Sequence, residues 1–116
     1  MSDFVEERLE RALEQRLREV ADAAPVTERE LRLLAEKGEA WARMLTGLVA
    51  AGERRLAELN QDPECSLSAV AGELERVERL RAERARLLVL LGQLDERSRA
   101  LRTSWLAGQL RSGPRG

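Results

Sequence analysis

Between Leu31 and Gly52, the residues Leu31, Leu34, Gly38, Trp41, Leu45, Leu48 and Gly52 follow one another at alternating steps of three and four. That is a seven-residue repeat, the spacing that keeps one seam of an α-helix facing a neighbouring helix over many turns. Leu56 and Leu59 continue it after one extra step of four. The start of this helix is marked as well. Thr27-Glu28-Arg29-Glu30 has the form of a capping box, and Val26 before it is placed to meet Leu31 as a hydrophobic staple. Asn60-Gln61-Asp62-Pro63 stops it, because Asn tolerates the left-handed position and Pro cannot continue the hydrogen-bond ladder. A helix over about residues 28–60 follows.

The flanking segments read the same way. Val5, Leu9, Leu13, Leu17, Val20 and Ala24 recur every three or four residues behind a possible Asp3/Glu6 cap, and Pro25 limits a first helix to about residues 3–24. A third helix spans about 63–110. It starts either with Asp62 as cap and Pro63 at the first position, or a turn later at Ser66 or Ser68. Its stripe runs Leu67, Val70, Leu74, Val77, Leu80, Arg84, Leu87, Leu91, Leu94, Ser98, Leu101, Trp105 and Gly108. Residues 112–116, small, polar or helix-breaking, read as a disordered tail. Nowhere do β-branched or aromatic residues alternate between turn signals, so the fold class is all-α: one short helix and then a long antiparallel helical hairpin, a coiled-coil-like three-helix arrangement in a single domain over 1–111.

At 1.5 Å per residue the three helices come to roughly 33, 50 and 70 Å. The unequal lengths matter. A turn near 60–66 lays Leu31 near Asp95, Gly38 against Leu88 and Gly52 against Leu74, and leaves the third helix beyond about residue 96 running past the second. The first helix then has two possible courses at Pro25. It either folds back along the second helix, leaving that overhang uncovered, or runs on in line and covers it.

Composition narrows the chemistry. Ala, Glu, Lys, Leu and Arg make up 74 of the 116 residues, a bias that belongs to long helices. With no His, no Tyr and one Cys, a His-based acid–base site, a Cys/His metal cage and an intramolecular disulfide are all excluded. The carboxylates are spread with Arg over polar faces, where i to i+4 pairs account for them, and no catalytic residue, cofactor or metal is expected. Cys65, in the first turn of the third helix on the earlier start, has only the helix dipole to activate it.

The 20 basic and 21 acidic residues nearly cancel, so nothing draws the whole chain to nucleic acid or an anionic membrane. The longest apolar run, Leu87 to Leu91, is far short of the roughly twenty residues that span a bilayer. The N-terminal acidity and the lone cysteine give a cytoplasmic, reducing location as the expectation. Charge is uneven only at the ends, residues 1–25 being net acidic and 96–116 net basic.

The expected function is a non-enzymatic coiled-coil subunit that binds other helical subunits or itself, as an adaptor or scaffold component. Its interface is expected at Leu94, Leu101, Trp105, Leu106 and Leu110, bordered by Arg97 and Arg102, because an aromatic on an uncovered apolar stripe marks interaction hot spots. The alternative is a small helical secretion or assembly chaperone that holds a partner's amphipathic helix between the second and third helices. In general form the chain resembles small subunits of tethering, adaptor or kinetochore-type helical assemblies. That resemblance rests on architecture and implies no residue roles.

Overall fold

The computed structural model describes residues 2–22 and 26–111, with side chains from 10–22 and 26–110. Three helices account for the described secondary structure: α1 (Ser2–Ala21), α2 (Glu28–Gln61) and α3 (Leu67–Arg111). The all-α class is as the sequence indicates. The Asp3/Glu6 cap, Val5, Leu9 and Ala24, and the tail at 112–116 lie outside what is described.

Each boundary has a local cause. α2 starts where Thr27 Oγ1 accepts the Glu30 N–H at 3.1 Å and the Thr27 carbonyl accepts the Leu31 N–H at 3.0 Å. α3 starts four residues later than the Pro63 option. Asp62 closes a turn instead, accepting Glu64 N–H on Oδ1 at 2.9 Å and Cys65 N–H on its carbonyl at 3.2 Å, and Ser66 Oγ caps the helix through Ala69 N–H at 3.1 Å. Cys65 therefore sits in the turn before the cap, half-buried, and not in the first helical turn. α1 ends at Ala21, two or three residues before the expected stop.

Contacts divide the chain into two compact units. The second, residues 38–89, is an antiparallel hairpin of α2 and α3. Its core comprises Trp41, Leu45 and Val49 from α2 and Val77 and Leu87 from α3, all buried. The helices approach closely at Gly52, where an added Cβ would come within 2.5 Å of Val77 Cγ2. Gly52 thus faces Val77, not Leu74, and the expected register slips by about three residues. The slip turns Leu74 outward to 44% exposure and brings Glu73 to the seam, its side chain 13% exposed and paired with Arg76 at 3.3 Å and Arg55 at 3.8 Å. Leu88, expected against Gly38, is also exposed. The Glu53–Arg81 pair adds a second cross-helix link.

The first unit, residues 1–37 and 90–116, joins α1, the start of α2 and the end of α3. Leu17 and Val20 of α1 are fully buried, with Leu31 and Leu34 of α2 and Leu94 of α3. At roughly 1.5–3 kcal/mol per large apolar side chain, this small cluster is what holds α1 in place. Two polar links set its direction. Arg16 Nε donates to Glu30 Oε1 at 2.6 Å, across a separation of 14 residues that a continuous helix could not close. Arg97 donates to the Val20 carbonyl, satisfying an acceptor in the last turn of α1. α1 therefore folds back along α2.

Candidate functional site: the exposed end of the third helix

Because α1 turns back, no described helix lies in line ahead of α2 at Glu28 to cover α3. The α3 seam in this unit continues at heptad spacing through Leu91, Leu94, Ser98, Leu101, Trp105 and Gly108. Leu94 is 2% exposed, whereas Leu101 is 42% and Trp105 64% exposed. The transition from core to surface therefore falls within two helical turns. Where a longer α2 would lie there is an open groove of about 690 Å³, lined on one side by Val26, Glu28 and Leu31 and on the other by α3 residues including Leu101, Trp105 and Leu106.

The expected interface residues separate accordingly. Leu101, Trp105, Leu106 and Leu110 are all exposed, Leu110 at 84%, and Arg102 borders the groove. Leu94 is not available to a partner, because it belongs to the core shared with α1 and α2. Arg97 is likewise committed within the chain, to the Val20 carbonyl. Sequence reasoning missed Val26, Glu28 and Leu31 as the opposite wall. The hydrophobic staple was the available signal, since a residue that folds over the first turn of a helix also forms the floor of whatever lies beyond that turn.

Electrostatically the groove has two sides. Glu28 stands on the α2 wall, loosely paired with Arg32 at 3.8 Å, and Arg102 stands on the α3 wall. Arg99 is paired with Asp95 at 2.9 Å. Glu30 turns away toward Arg16, and its hydrogen bond raises the Arg16 pKa above the ordinary arginine value, with desolvation opposing and Glu19 assisting. Among the described residues no group of three or more acidic or Cys side chains is placed to hold a metal, and no helix is long and apolar enough to cross a membrane. No family, curated protein or solved structure matches the chain.

Proposed function

We propose that the protein is a non-enzymatic helical interaction subunit, an adaptor or scaffold component that docks through the end of α3. The observation that carries this reading is the change along one continuous heptad seam from buried Leu94 to exposed Leu101 and Trp105. Large apolar side chains in water forgo roughly 1.5–3 kcal/mol each, and a partner's surface recovers that energy. The reading takes the protein to be intracellular, on the strength of its single cysteine, which is free.

The double substitution Leu101→Glu with Trp105→Glu tests it, with the chain expressed in its native cell. Stable association with other chains should be lost while helicity and thermal stability stay nearly unchanged. A large loss of stability with association unchanged would place the stripe in the chain's own core and remove the interface. The chaperone reading is supported by the groove itself, which α2 and α3 residues line together. A transient complex with one client helix, formed by a monomeric protein, would favour it.

A further inference from the structure

The interaction reading leaves the partner open, and the inference here rests on it. We propose that the exposed end of α3 pairs with the same segment of a second copy of this chain, antiparallel, around a two-fold axis.

The first argument is continuity. Through Ser98 the α3 seam faces the first turns of α2, and Ser98 and Leu31 line the same groove. A helix lying in that groove extends the line of α2 and meets Trp105 and Gly108 at a three-residue step that α2 itself uses. Since α2 starts at Glu28, such a helix overlaps α3 only over about residues 102–111, roughly 15 Å.

Shape selects the end of α3 as that helix. Over this overlap, an antiparallel two-fold sets Trp105 of each copy against Gly108 of the other. A Cβ built on Gly108 meets nothing within 4 Å, so the glycine offers a shallow hole to an indole. Gly108 is half-buried, and inside a helix a glycine costs up to about 1 kcal/mol relative to Ala, a cost to which receiving a large knob gives a use. A single surface that is its own complement closes as a dimer and leaves no end free.

Charge sets the direction. Beyond Arg97 and Arg99, which the Val20 carbonyl and Asp95 hold, the chain to Gly116 has three more arginines and no acid, whereas Glu28 lies in the first turn of α2. The antiparallel pair brings the carbonyl end of each α3, with its arginines, to the amide end of the other copy's α2, with Glu28. Both the helix dipoles and the side chains are then complementary. A parallel pair would set the two positive ends together.

Leu110 lies on another face, about 140° round the helix from the Leu101/Trp105 line at about 100° per residue. It stays outside this contact and serves as a control. So short an overlap falls in the small class of interfaces, below about 1,200 Å², and the dimer should dissociate on dilution.

Sedimentation of the full chain over a wide concentration range should show reversible formation of a species of twice 13.1 kDa. Trp105→Glu and Gly108→Leu should each weaken self-association by about tenfold or more, with helical circular dichroism unchanged, and Leu110→Glu should not. In a Cys65→Ser background, chains carrying Trp105→Cys should form disulfides with chains carrying Gly108→Cys more readily than with themselves. A chain that stays monomeric at every concentration, or a Leu110→Glu effect as large as that of Gly108→Leu, overturns the proposal. If the monomer instead cross-links through position 105 to a different protein in cells, self-pairing fails while the interaction reading stands. If Trp105→Glu unfolds the monomer, both fail.

Discussion

The two units bury similar side chains by different means. In residues 38–89 two helices meet along a single line, so each side chain is covered from one direction, and close approach at Gly52 supplies the tightness. Around residues 1–37 and 90–116 a third helix adds a second direction of cover, and the two α1 residues it inserts, Leu17 and Val20, reach zero exposure, as Val77 does in the hairpin by close approach alone. Yet the three-helix unit also carries Trp105 and Leu110 in the open. Burial along a helix pair is limited by the shorter helix. Adding α1 beside the pair completes a core without extending it, and among the described helices α3 has no neighbour past the point where α2 begins.

The contrast can be broken at single residues. The largest effect is expected at Trp41, the one aromatic of the hairpin core. Trp41→Ala should cost about 3–5 kcal/mol in denaturant unfolding. A loss below about 1 kcal/mol would show that the hairpin does not depend on it. Trp41 Nε1 has no hydrogen-bond partner among the described residues, so Trp41→Phe should cost far less than the truncation.

In the three-helix unit the matching probe is Arg97→Met, which keeps the apolar stem and removes the donor to the Val20 carbonyl. A hydrogen bond from a charged group is worth about 1.5–3 kcal/mol, and the loss should appear as faster amide exchange in α1 alone. Equal acceleration in the 38–89 hairpin would mean that the two units do not open independently.

One substitution at two glycines sharpens the comparison further. Gly52→Ala forces a methyl to within 2.5 Å of buried Val77 and should destabilise by about 1–2 kcal/mol, an overpacking cost that Val77→Ala should relieve. Gly47→Ala, on the same helix with nothing within 4 Å, should stabilise by about 0.5–1 kcal/mol through helix propensity. Thermal melts of the two variants moving in the same direction would refute the close approach at Gly52.

Periodicity made most of this legible. The α2 seam from Leu31 to Leu59 is as its spacing indicates, except that Val49 is buried more deeply than Leu48. Along α3 the choice of the most apolar residue at each step went wrong at Leu67, which is 88% exposed in the first turn, and at Leu74. A seam is set by the geometry of approach and not by the hydrophobicity of each residue. Once Val77 seats on Gly52, the repeat runs Val70, Glu73, Val77, Leu80, and a glutamate whose carboxylate reaches Arg55 and Arg76 is accommodated at the edge. Leu101 and Trp105 were recognisable as a candidate surface from helix lengths alone. Their groove was not, because its other wall depends on where the chain turns.

What the sequence by itself determined is therefore everything governed by local spacing and capping: three helices, the Thr27 start, the antiparallel hairpin and the unequal lengths. Only the tertiary structure decided which way α1 runs relative to α2, which of two adjacent residues enters the α3 seam, and that Leu94 is core while Leu101 is surface. Those outcomes rest on contacts between residues far apart in the chain, Arg16 with Glu30, Arg97 with Val20 and Gly52 with Val77. A repeat of three and four specifies that a face will be buried. It does not specify against what, because many partners satisfy the same spacing and only the full set of contacts selects among them.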